Sequence, residues 1–232
     1  MAEGYARPEL LAEPDWLAAH AQDPQVRVID CGTLEQYHRA HIPGAVGLPV
    51  HHYIKDRPGG LFVMPAEQFA ELMGTLGVDA TTTVIVYDDD NSRVATRLWW
   101  VLTYYGHTQT KVLNGGWHRW VTEGRPVTFT PTTPPPATFH VSADENVICR
   151  LDDLKANLGR SGFAVLDVRS DEEWLGTNAR GNKRRGHVPG AVHLEWINFI
   201  SKDDRRVFLP ADELRAMLAS AGLPPEAEVV TY

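Results

Sequence analysis

The side chains able to do covalent sulfur chemistry in this 232-residue sequence are Cys31 and Cys149. A thiol becomes a good nucleophile when a helix N-terminus or a nearby cation lowers its pKa. Cys31 follows the strand-like run VRVID, where it reads as a small core hydrophobe. Cys149, in NVICRLDDL, has Arg150 beside it. Neither lies in a CxxC, and no His and Cys spacing resembles a zinc site, so no metal and no cofactor is expected. His41 and His187 recur in HIPGA and HVPGA, where hydrogen bonding within a loop explains them better than metal ligation. Carboxylates cluster at Asp88, Asp89 and Asp90, after the run TVIVY, with Arg93 closing the stretch. Together they repel an anionic substrate. The opposite charge gathers in ARGNKRRGH, with Arg180, Lys183, Arg184 and Arg185. That segment is either a solvated loop or a local positive field that draws in a small anion. Arg184 and Arg185, nearest His187, are the candidate substrate-binding pair. Asp167 and Arg169, in LDVRS, read as an ion pair at a strand end, more scaffold than chemistry.

The elements that position these groups occur twice. HIPGAVGLP begins at His41 and HVPGAVHLE at His187, 146 residues apart. Upstream, the strand-like runs ending at Asp30 and Asp167 stand 137 apart, so the second copy carries a nine-residue insertion, and the basic cluster lies in it. Downstream, Pro65 and Pro210 open helical stretches 145 apart. Their apolar stripes, Phe69, Leu72, Met73, Leu76 and Leu214, Met217, Leu218, Ala221, keep the i, i+3, i+4, i+7 spacing of a helix face. TVIVY and EVVTY then align Tyr87 with Tyr232. Between the copies, RPVTFTPTTPPPATF reads as a stiff extended linker. Each copy alternates strands with helices, so the expected fold is α/β with a mainly parallel sheet per copy. The expected domains are residues 1–136 and 137–232.

Bulk properties set limits. The formal net charge of −8 argues against a general binder of nucleic acid or anionic membrane. No apolar run reaches the ~18 residues of a spanning helix. The N-terminus lacks the pattern of a secretory signal, and two cysteines do not make a disulfide framework, so a cytoplasmic protein is expected.

The paired strand ends, the two H-[IV]-P-G-A loops and VLNGGWHRW at Val112–Trp120 resemble the two-domain rhodanese family of thiosulfate and 3-mercaptopyruvate sulfurtransferases. The resemblance covers nearly the whole chain. It implies two tandem rhodanese-like domains. It also implies transfer of sulfane sulfur from a small anionic donor to cyanide or a thiol through a Cys persulfide. By alignment, that Cys is expected immediately after Tyr232, with the rest of the catalytic loop on a C-terminal remainder of the same protein and this chain alone inactive. The family nucleophile follows both Asp167 and HVPGA, whereas Cys149 precedes them. Asp88 stands where the first domain has the family's Cys, and Arg93 where its loop has Arg, so the first domain is expected to be catalytically inactive. The family places a Trp near the active loop at the position of Trp196, for which core packing is the alternative. Some relatives carry Arg near Glu173. Thiosulfate is the expected donor; a 3-mercaptopyruvate sulfurtransferase and a non-catalytic rhodanese-like binding or regulatory module are the alternatives.

Overall fold

Runs of β-branched residues that are apolar on both faces form strands buried between helices. VRVID and TVIVY do so here, as β2 (Val26–Asp30) and β4 (Thr83–Tyr87). The structure, a computed structural model, describes residues 4–49, 54–55 and 63–232. Around these two strands the first half adds β1 (Leu11–Ala12), β3 (Val46–Gly47) and β5 (Thr110–Leu113). All pair in parallel, in the order β1-β5-β4-β2-β3. The helices are α1 (Pro14–His20), α2 (Leu34–Arg39), α3 (Ala66–Thr75), α4 (Arg93–Tyr104) and α5 (Gly116–Thr122). On one sheet face Val28, Ile85 and Leu113 pack in a cluster with Leu17 of α1 and Trp120 of α5. The stripe of α3 is buried as its spacing requires: Phe69, Leu72, Met73 and Leu76 are all below 8 % exposed.

The second half builds α6 (Leu151–Asn157), β6 (Phe163–Asp167), α7 (Asp171–Trp174), β7 (Val192–His193), α8 (Ala211–Ser220) and β8 (Glu228–Thr231). Its sheet is also parallel, in the order β7-β6-β8. The duplication extends to register. Val26 pairs with Thr83 and Ile29 with Val86; at the repeat offsets, Phe163 pairs with Glu228 and Leu166 with Thr231. Likewise Asp30 opposes Gly47, and Asp167 opposes His193. The stripe of α8 is only half-buried.

The chain divides into two compact units, Met1–Glu145 with Lys202–Phe208, and Asn146–Ser201 with Leu209–Tyr232. The Pro-rich linker is extended and runs along the first unit, where Ala137 N–H donates to the Gly74 carbonyl at 2.9 Å. Phe139 is buried edge-on to Phe69.

Candidate functional site

In a parallel sheet, ligands collect beyond the carboxyl ends of the strands. Both units tie that edge together in the same way. In the first, the Tyr87 hydroxyl donates to Asp30 Oδ2 at 2.6 Å and accepts from Ile42 N–H, in the His-Ile-Pro-Gly loop, at 3.2 Å. In the second, the Tyr232 hydroxyl accepts from Val188 N–H, in the His-Val-Pro-Gly loop, at 2.9 Å, and is hydrogen-bonded to Asp167. The histidines of these loops stack on an aromatic ring and bond its backbone carbonyl. His41 lies 3.9 Å from the Tyr37 ring and His187 3.4 Å from the Trp174 ring, with Nδ1 at 2.7 and 3.0 Å from the respective carbonyls. The partner is four residues back in one copy and thirteen in the other, so the nine-residue insertion bulges out without disturbing this contact.

Directly after Tyr87 the chain forms an anion cradle. Asp88 is 2 % exposed, and its Oδ1 accepts from the backbone N–H of Asp90 and Ser92 at 2.9 and 2.8 Å. Its Oδ2 accepts from Val94 and Ala95 N–H at the start of α4, both at 2.7 Å. Asn91 and Ser92 take left-handed backbone conformations, which turn successive N–H groups inward as a nest. Burial pushes the Asp88 carboxyl up and the four amide bonds pull it down, with burial prevailing. Gly116 closes the cradle from behind: at φ +49° it lies so near that a Cβ would sit 2.5 Å from the Asp88 carbonyl. Arg93 points away from this carboxylate to pair with Asp90.

In the second unit Arg169 organises the strand end. Its backbone N–H and Nε bond Asp167 Oδ1 at 3.0 and 2.9 Å, and its guanidinium also reaches the Gly186 carbonyl at 3.0 Å. The same guanidinium lies over the Tyr232 ring at 4.9 Å. Asp167 is fully buried. Burial alone would raise its carboxyl; hydrogen bonds from Arg169 and Tyr232 outweigh that and hold it below the usual carboxylate range. At the repeat position of Arg169 the first unit has Gly32. Without that cation, burial pushes the Asp30 carboxyl up to about 6, against hydrogen bonds from Tyr87 and Gly32.

Asp167 and Arg169 therefore meet at one edge with Tyr232. Trp196 is placed beside them, half-buried in a 3₁₀ turn, its N–H donating to the Val168 carbonyl at 3.0 Å. Arg184 and Arg185 are exposed in the insertion, and neither they nor Lys183 has an acidic partner within ion-pair distance among the described residues. Glu173 is 8 % exposed and pairs with Arg180 at 3.3 Å. Neither cysteine is activated. Cys31 is fully buried, and burial pushes its thiol well up; Cys149 is exposed, and its thiol is raised by partial burial and by Asp153 and Glu228. No group of three or more metal-ligating side chains occurs among the described residues. Sequence reasoning used Tyr87 and Tyr232 as repeat markers and as part of the family resemblance, and missed their hydroxyl bridges. The available signal was the pairing of each Tyr with an Asp and an H-x-P-G loop at the repeat offsets.

The sequence profile of the rhodanese-like domain matches residues 13–123 and 150–232. The sulfur carrier protein TtuD of Thermus thermophilus is 35% identical, across 99% of this chain and 84% of that protein. Thiosulfate sulfurtransferase of Bos taurus is 33% identical, across 89% and 75%. Among solved structures, the 3-mercaptopyruvate sulfotransferase SseA from Escherichia coli superimposes with a TM-score of 0.83 at 26% identity, covering 96% of this chain and 87% of that one.

Proposed function

This chain belongs to the rhodanese family, whose sulfurtransferases it resembles in sequence across both halves, and from that premise we propose that it moves sulfane sulfur from thiosulfate to cyanide or a thiol. In the repeat alignment the family's nucleophile position follows the tyrosine at the strand end, the position that Asp88 holds after Tyr87 in the first copy. The observation that carries this reading is the cradle around Asp88. The turn after this strand gathers four backbone N–H groups on one anionic centre. A cysteine in such a turn would be held as thiolate and its persulfide stabilised.

The chemistry runs in two displacements. The thiolate attacks the outer sulfur of thiosulfate, an S–S bond forms to the protein, and the S–S bond of the donor breaks with its electron pair leaving on sulfite. Cyanide or a thiolate then attacks the outer persulfide sulfur, and the protein thiolate leaves. Arg184 and Arg185 supply positive charge for the anionic donor, Trp196 forms a wall, and Asp167 with Arg169 holds Tyr232. In the first unit Asp88 occupies its own cradle and has no sulfur to carry, so that unit is structural. Donor choice between thiosulfate and 3-mercaptopyruvate is read directly from rates with each.

The test is intact-mass analysis of the gene's natural product. Thiosulfate should add one sulfur atom, and cyanide should remove it as thiocyanate. A protein that gains no sulfur from either donor would be a rhodanese-like binding module.

A further inference from the structure

Among the described residues of the second unit, two acidic side chains are buried, Asp167 and Glu173. A buried carboxylate needs a cation or a full set of hydrogen bonds. Asp167 takes Arg169. Glu173 accepts from Ser170 Oγ at 3.2 Å and pairs with Arg180, which comes from the insertion and is 65 % exposed, at 3.3 Å. The two pairs grip the insertion at different points: Arg180 lies in its first half, and Arg169 donates to the carbonyl of Gly186 near its end.

The first copy lacks both the insertion and the charge. There Gln36 stands at the position of Glu173; its Oε1 accepts from Thr33 N–H at 2.8 Å, completing a capping box on α2. Its Nε2 donates to Asp89, one residue beyond the nucleophile position. This helix position thus faces the turn at the end of the strand. In the second copy the charged side chain there is engaged instead by the insertion. Further hydrogen bonds fold the same stretch: Thr177 and Asn178 N–H both donate to the Glu172 carbonyl, and Arg180 N–H donates to Asn178 Oδ1. Arg180 adopts φ +42°, a left-handed conformation that is uncommon for a non-glycine residue.

We propose that Glu173 and Arg180 form a latch that sets the basic insertion at the carboxyl edge of β6. Arg180 is thereby spent on Glu173, and Lys183, Arg184 and Arg185 are left as the cations that face an incoming anion. Glu173 is a positioning residue in this scheme, and its link to donor binding rests on the function proposed above.

Limited trypsin digestion reads the latch without any donor: Lys183, Arg184 and Arg185 are exposed, and the rate of cleavage after them reports how readily the backbone of the insertion unfolds locally to fit the protease. Glu173→Gln and Arg180→Gln should each speed that cleavage by about threefold, and the double variant should be no faster than either single one. Wild-type rates in both single variants, or multiplied effects in the double one, overturn the latch. Thiosulfate titration separates the two readings. Glu173→Gln should weaken binding although it removes a negative charge; tighter binding would mean that Arg180 is merely a masked cation, and the latch fails. If Arg184→Gln with Arg185→Gln leaves thiosulfate affinity unchanged while Glu173→Gln and Arg180→Gln still speed cleavage of the chain that keeps both arginines, the donor assignment fails and the latch stands.

Discussion

Asp30 and Asp167 are repeat equivalents with opposite acidities: burial prevails at Asp30, with Asp89 adding to it, whereas hydrogen bonds from Arg169 and Tyr232 outweigh burial at Asp167. Arg169 lies beside Asp167, and Gly32 lies beside Asp30. Burial raises Asp30 to about 6, above its unfolded value, so the folded state holds the proton more tightly. Between pH 4 and 6 the folded state then binds more protons than the unfolded one, and stability falls as pH rises through that window. A shift of this size corresponds to about 3 kcal/mol at most. Urea unfolding of the wild type and Asp30→Asn should show the wild type gaining about 2 to 3 kcal/mol over the variant as pH drops from 7 to 4. Parallel pH curves would refute the assignment. Asp167 has the opposite sign. Its depressed carboxyl contributes stability that is present above the unfolded pKa and lost as pH falls through the folded one. Arg169→Met strands a fully buried charge and should cost about 3 to 5 kcal/mol at pH 7. The cost should shrink toward pH 3 in the same titration, as Asp167 takes up a proton.

At the scale of elements, the turn from β4 into α4 is held by a side chain in the role of a bound anion. Asp88 satisfies two N–H groups of the turn and two of the first turn of α4. Asp88→Ala leaves four donors without their acceptor and should cost about 3 kcal/mol or more, with Asp88→Asn in between, measured by chemical denaturation. A loss below 1 kcal/mol would mean that water replaces the carboxylate freely. The elements themselves were legible from spacing. Strand runs, helix stripes and the paired H-x-P-G-A loops recur at near-constant offsets, and even the nine-residue insertion could be counted and placed in LGTNARGNKRRG from the offsets. The cradle was not legible. Asp88 read as a lost nucleophile and a source of repulsion, because nothing in DDDNSR says that Asn91 and Ser92 turn left-handed and aim their neighbours' amides inward. The Glu173 and Arg180 pair was hidden for a similar reason. Seven residues separate them in sequence, a distance set by a loop conformation and by no helix or strand period.

Across these 232 residues, the strands that the two copies have in common share order and register but not depth of burial. In the first unit β4 lies between β2 and β5, and Val84, Ile85 and Val86 are each fully buried. In the second, β8 is mostly exposed, with Val229 42 % exposed, and the buried apolar side chains are Val165, Leu166, Ile200, Ala211 and Leu223. Each fully buried aliphatic side chain contributes about 1.5 to 3 kcal/mol, so the first unit holds most of the hydrophobic stabilisation of this chain. Local opening tracks such differences, because the free energy of exposing an amide rises with the apolar contacts that must break. Hydrogen exchange under native conditions should therefore protect the amides of Val84, Ile85 and Val86 at least about tenfold more than those of Val165 and Leu166. In the 232-residue chain taken by itself, the second unit should open first on heating, seen as earlier loss of protection across β6 while β4 remains closed. Equal protection of the two strands would mean that the shared strand pairing, rather than the burial around it, sets the stability of each copy.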